Sequence, residues 1–325
     1  MSLGGAEVLS GPRGGLETLD ISGDVAARTP WQLFWRRLRQ DRVALVSLGF
    51  IVFLIFVAFL APLIVKVLGL PGPSVQNLNL TDSFGSPIGP DAAHPFGVDP
   101  LGQDVMSRVI YGTRVSLEVG IIGTFISTVV GVTVGLLAGF YRGWVDTLLS
   151  RTMDVFLSIP ILLLGLGIGS ACAVKGCAKG LIQPGLGVII FLIALTTWPF
   201  FGRIVRGLVL SLREREFVDA SVALGASDLR IMFREILPNL AAPIIVYASL
   251  QIPFNILIEA ALSYLGVGIR PPTASWGQMI ADATPIFSTA WWYMVFPGAA
   301  LLTTVLAFNL LGDGLRDALN PRNAG

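Results

Sequence analysis

The sequence predicts an all-α integral membrane protein with six transmembrane helices, and two observations carry that expectation. The first is composition: of 325 residues 54% are hydrophobic and only 13% charged, with a mean hydropathy of +0.75, which suits a chain solvated by lipid better than a water-facing domain. The second is the spacing of charge. Crossing about 30 Å of hydrocarbon takes about 20 apolar residues, and six uncharged runs of that size occur, at 43–65, 119–141, 155–174, 180–202, 236–258 and 283–312. A net charge of +1 and a pI near 7.8 give no footprint for nucleic acid. One His and two Cys make a zinc site a poor reading.

Residues 1–30 are rich in Gly, Ser and charge and lack an apolar stretch, so they read as a flexible cytoplasmic tail without a cleaved signal. Residues 31–115 hold the first span and a long outer loop whose Pro, Gly, Asn and Asp favour turns over a separate domain. Residues 116–322 hold the other five helices. Along the second, Gly120, Gly123, Gly131, Gly135 and Gly139 offer a small-residue face for close helix packing. Pro160, Pro199, Pro253 and Pro297 interrupt four spans and are expected to kink them. Trp276, Trp291, Trp292 and Tyr293 flank the last span as an interfacial aromatic belt would.

Lys and Arg set the orientation, because basic loops stay in the cytoplasm. With both termini inside, sixteen of the twenty-two basic residues fall on the cytoplasmic side. Cys172 and Cys177 then lie on the outer side, in an oxidising setting, as a candidate disulfide. Glu259, directly after the fifth apolar run, is a candidate pathway residue; the alternative is a carboxyl near the outer headgroups, paired with a hydroxyl or amide. Arg151 and Asp154 have the i, i+3 spacing of a helix-end ion pair.

A charged segment, 213–239, interrupts the apolar pattern. Phe217, Ala220, Ser221 and Leu224 share one helical face, and Leu229, Met232, Phe233 and Ile236 repeat the spacing. Between them Gly225 can end a first helix, Ser227 can cap a second with Asp228 at its N-terminus, and Pro238 closes the unit. A cytoplasmic helical hairpin results. Its apolar side has two open fates: packing on its own chain, or docking another protein.

Asp219-Ala220-Ser221, three residues, Gly225 and then Ile236-Leu237-Pro238 resemble the EAA loop of ABC importer permeases, with Asp in place of the usual Glu and Ser in place of the second Ala. HPFGVDPLGQDVMSRVIYGTRVSL (94–117), GFYRGWVDTLLSRTMDVFLSIP (139–160), PPTASWGQMI (271–280) and TVLAFNLLGDGLRDALNP (304–321) are similar to the C-type permease subunit of dipeptide and oligopeptide importers, so the likeness runs from 31 to 322. It implies a type I ABC importer permease fold in a bacterial inner membrane, importing peptides by alternating access. Asp219, Ala220, Ser221, Leu224, Gly225, Ala226, Ser227 and Arg230 would form the coupling surface for a cytoplasmic ATPase. Asp313, Arg316 and Asp317 would be a second contact with it or a solvated helix end. Two such ATPases, a B-type sister permease and an extracytoplasmic substrate-binding protein are the implied partners, with membrane lipid around them. No enzyme activity is expected of this chain. ATP and Mg would sit in the ATPases, in keeping with the lack of a phosphate-cradling G-x-x-x-x-G-K-[ST] loop here. Nickel, glutathione or another small solute is the alternative cargo. An ion-driven secondary transporter fits less well, because the spans hold so little charge.

Overall fold

A computed structural model describes residues 30–82, 86–172, 174–177 and 180–319. Residues 1–29 of the expected tail lie outside them. The described chain is helical: α1 (Pro30–Gln40), α2 (Arg42–Val67), α3 (Val105–Tyr141), α4 (Gly143–Ser158), α5 (Ile161–Cys172), α6 (Leu186–Leu212), α7 (Glu216–Ala223), α8 (Asp228–Arg230), α9 (Leu237–Tyr264), α10 (Trp276–Ala283) and α11 (Trp292–Leu319). Five helices are long and apolar enough to cross a membrane, and six if the bent pair α4 and α5 counts as one span.

That pair is the main departure from the expected spans. The run at 155–174 is not a straight helix: the chain breaks at Ile159 and Pro160, and α4 and α5 meet at 81°. Proline lacks the N–H for the helical ladder and drives the residue before it out of the helical region; Ile159 accordingly sits at φ −90, ψ 123. Pro199, Pro253 and Pro297 instead lie inside continuous helices. The other ends shift too. Helix α3 begins fourteen residues before 119, α6 runs on past Arg203 and Arg206, α9 continues past Glu259, and the last span runs 292–319 with α10 as a separate helix before it. Uncharged runs miss these extensions because a charged side chain that finds a partner does not end a helix.

Helix α3 is the centre of the bundle. It lies along α6 at close range, since a Cβ built at Gly135 would fall 2.5 Å from the carbonyl oxygen of Gly202, and one at Gly139 would fall 2.7 Å from the Val209 Cβ. Buried polar contacts tie the same helices: Ser127 to Thr197 at 2.6 Å between α3 and α6, and Asn255 donating to Thr124 at 2.9 Å between α9 and α3. Such contacts satisfy groups that lipid cannot.

Two ends of the bundle follow. At one, the starts of α1 and α2 meet the end of α11, and the ends of α3 and α6 meet α4 and the segment 213–239; this is the hairpin end. At the other, residues 70–73 and 89–98 pack over the starts of α3 and α11. Trp276, Trp292 and Tyr293 do not form a belt there: they are buried, with indole N–H groups donating to the carbonyls of Val109 (3.0 Å) and Val98 (3.1 Å), and Trp291 alone of the four is exposed. Asp99 and Arg108 form a buried ion pair at 3.7 Å, and His94 meets Asp104 at 2.8 Å. Burial pushes the Asp99 carboxyl above its ordinary pKa, opposed by the amides of Gln103 and Leu101 and by the Arg108 guanidinium.

Candidate coupling site

The segment 213–239 folds as the expected hairpin. Helix α7 ends in a Schellman turn: Gly225 N–H donates to Val222 (2.9 Å) and Ala226 N–H to Ser221 (3.1 Å). Gly225 takes φ +77, where a side chain is strained, with open space around its Cα. Two expectations need correction. Ser227 stands at the cap position of α8 but makes no side-chain cap bond. Pro238 does not close the unit; it enters the first turn of α9, and helix runs unbroken from Asp228 to Tyr264 through a π-helical stretch at Ile231–Ile236. The wider turn accommodates the missing N–H.

Of the two fates foreseen, packing on its own chain holds for one side of the apolar residues, and the other side is exposed. Val218, Ile231, Met232 and Ile236 are buried in one cluster with Leu136, Phe140, Val205 and Val209. The outer side is bare: Leu224 is 87% exposed, with Phe217, Val222, Leu229 and Phe233 also exposed. The 217, 220, 221, 224 face is thus the outward one, whereas the 229, 232, 233, 236 set splits between core and surface. Asp219, Ala220, Ser227 and Arg230 are exposed beside this apolar edge, Ser221 donates its hydroxyl to Phe217 (3.0 Å), and Ala226 tucks against the core. The exposed apolar knob is thus ringed by the charged side chains of Asp219, Asp228 and Arg230.

Polar contacts add to that apolar anchor and brace α4 against the end of α6. Arg142 donates to Glu214 at 2.7 Å, Arg213 donates to the Phe140 carbonyl at the end of α3, and Arg206 grips Asp146 with two bonds of 2.5 and 2.8 Å. Asp154 accepts from Arg203 at 2.5 Å and lies 3.7 Å from Arg151, the expected i, i+3 partner. The Asp146 and Arg206 pair spans sixty positions, which no local pattern reveals; a carboxylate in the first turn of α4 is its only sequence trace. Asp313, Arg316 and Asp317 are exposed at this same end.

The remaining candidates lie toward the loop end. Glu259 is fully buried, its carboxylate accepting from Ser263 (2.8 Å), with Ser116 and Ser275 facing it. Ser263 accepts in turn from the Ile269 amide (3.2 Å). Glu259 therefore sits where α9, α3 and the loop before α10 come together, its bond to Ser263 closing within α9 and its second oxygen left without a hydrogen-bond partner. Cys172 and Cys177 are paired across a five-residue separation, with Cα atoms 5.0 Å apart.

Comparison with known proteins decides the family. A model of the binding-protein-dependent transport system inner membrane component matches residues 131–325, and one of the N-terminal TM domain of oligopeptide transport permease C matches 29–82. The chain belongs to the binding-protein-dependent permease family. It is 38% identical to a glutathione transport system permease protein of Pectobacterium atrosepticum over 94% of this chain and 96% of that one. It is 39% identical to a dipeptide transport system permease protein of Alkalihalophilus pseudofirmus, over 91% of each. Among solved structures, the inward-facing MetNI methionine ABC transporter aligns with a TM-score of 0.55 over 66% of this chain and 98% of that one, at 21% identity. Both the permease fold and the ABC importer subunit expected from the sequence are thereby established.

Proposed function

We propose that this permease imports short peptides, and that ATP hydrolysis in separate subunits drives it through the outward edge of the hairpin. One observation carries the coupling reading: Leu224 is 87% exposed at the tip of a hairpin whose opposite side is locked into the bundle core. With Phe217, Val222, Leu229 and Phe233 exposed beside it, Leu224 belongs to a contiguous apolar patch of the kind that marks an interaction surface. In this reading the hairpin end and both termini face the cytoplasm, as the Lys and Arg distribution supports, and the loop end receives a substrate-binding protein. A B-type sister permease completes the translocation path. The chain itself is non-catalytic, binds no cofactor, and leaves ATP and Mg to its two ATPase partners.

Glutathione is the second reading, favoured by the relatives at 38% and 40% identity that carry that name. Both cargoes are small peptides with free carboxylates. The test is reconstitution with the sister permease, both ATPases and the binding protein, followed by ATP-dependent uptake of labelled dipeptide and of glutathione. Leu224→Asp is expected to abolish uptake and ATPase association while the permease pair still assembles. Normal ATPase association and uptake in that variant overturn the coupling role.

A further inference from the structure

The hairpin end holds a second unpaired surface, away from the hairpin. Helix α1 buries Phe34 and Leu38 against Leu315, Ala318 and Leu319 of α11 and against Ala44. Opposite that seam, Arg36, Arg39 and Arg42 are exposed. Among the described residues none of the three has a carboxylate partner. Asp41, the nearest acid in sequence, is occupied as the cap of α2, accepting from the amides of Val43 (2.9 Å) and Ala44 (3.0 Å). The acids of the neighbouring α11, Asp313 and Asp317, do not reach them either.

The level of these arginines follows from α2. Its uncharged run from Val43 to Val65, at about 1.5 Å per residue, is roughly as long as the hydrocarbon is thick. Val43 and Val46 are 54% and 74% exposed, so lipid chains reach the first turn of α2. Arg42 therefore stands at the edge of the hydrocarbon, and Arg39 and Arg36 follow one and two turns back along α1. Six residues of helix span about 9 Å, so all three guanidinium groups stand within reach of the headgroup region. Trp35, 40% exposed and 5.9 Å beneath the Arg39 guanidinium, is an indole suited to the same zone.

We propose that Arg36, Arg39 and Arg42 form a binding surface for anionic phospholipid, which holds α1 at the membrane surface and against the end of α11. A guanidinium fork matches phosphate oxygens in pairs, and three of them without a carboxylate partner among the described residues complement an anionic headgroup rather than a zwitterionic one. The surface is independent of the coupling site and of the cargo, so its fate and theirs are separable.

The test uses the full-length chain, delipidated in detergent and titrated with phosphatidylglycerol or phosphatidylcholine, with retained lipid counted by native mass spectrometry. Wild type should retain phosphatidylglycerol in preference. Each of R36Q and R42Q should weaken that retention roughly fivefold, and the R36Q/R39Q/R42Q triple on the order of a hundredfold. R36K/R39K/R42K, which keeps the charge and so the topology signal but not the fork, should fall between wild type and the triple Gln variant. Inorganic phosphate in millimolar excess should displace none. Equal retention of the two lipids, wild-type retention by the single and triple Gln variants, or displacement by free phosphate would each overturn the proposal.

Discussion

Glu259 shows how much a single carboxyl can mean at the end of a span. Its neighbours are hydroxyls, and burial is complete. Glu259→Gln keeps an acceptor for Ser263 and is expected to leave thermal stability within about 1 kcal/mol, whereas Glu259→Leu strands that hydroxyl at a cost of about 1–3 kcal/mol. Uptake by the Gln variant, measured beside a melting curve, separates the roles: lost transport in a stable protein assigns it to the pathway, and unchanged kinetics make it a joint between α9, α3 and the loop before α10. Arg108 poses a simpler case. Arg108→Ala would leave Asp99 buried without its cation, for which about 3–5 kcal/mol of destabilisation is expected, and a matched loss in midpoint should appear in a detergent melt. Neither environment was legible in the sequence. Spacing marked Glu259 as unusual and placed Asp99 and Arg108 in one outer segment, but burial comes from helices distant in the chain. Gly225 is the opposite case, because its turn depends on the backbone of adjacent residues and a local pattern is enough to find it.

At the scale of elements, the glycines of α3 are what allow it to lie against α6. Gly135→Val would drive a branched side chain into the Gly202 carbonyl and the Val205 Cβ, at 2.5 and 2.9 Å from the position of its Cβ. Overpacking of this kind costs about 1–3 kcal/mol, so a lower melting temperature is expected, with little change for Gly207→Val, where the same construction meets nothing. The existence of the long spans was readable because lipid demands continuous apolar length. Their ends were not, because Arg203 and Arg206 continue α6 by pairing with α4, and Glu259 continues α9 by burial. The third span failed as a straight helix for a different reason: apolar content says nothing about direction, and Pro160 turns the chain through a right-angle-like bend of 81°.

For the whole molecule, the proposed coupling role raises the question of how a pull on the hairpin would reach the membrane. Two covalent routes leave it, back into α6 and forward into α9, and a third is ionic. Asp146 to Arg206, Asp154 to Arg203 and Arg142 to Glu214 bind α4 to the end of α6 and to the strand of chain that enters α7. Beyond α4 lies the bend at Pro160 and then α5, so displacement of the hairpin would be passed to the one helix pair that is already broken. The Asp146 and Arg206 contact is the best placed for this, being partly buried and two-pronged; a charge-assisted bond of that sort contributes about 1.5–3 kcal/mol. Asp146→Arg alone sets two guanidinium groups against each other, and Arg206→Asp alone sets two carboxylates. Each is expected to lower uptake per ATP hydrolysed in the reconstituted importer, while the ATPases still associate through Leu224. The double exchange restores opposite charges across the same gap and should recover most of the lost coupling. If the double variant transports no better than the singles while all three retain ATPase association and similar melting temperatures, force does not travel through this pair, and the covalent routes through α6 and α9 carry the stroke.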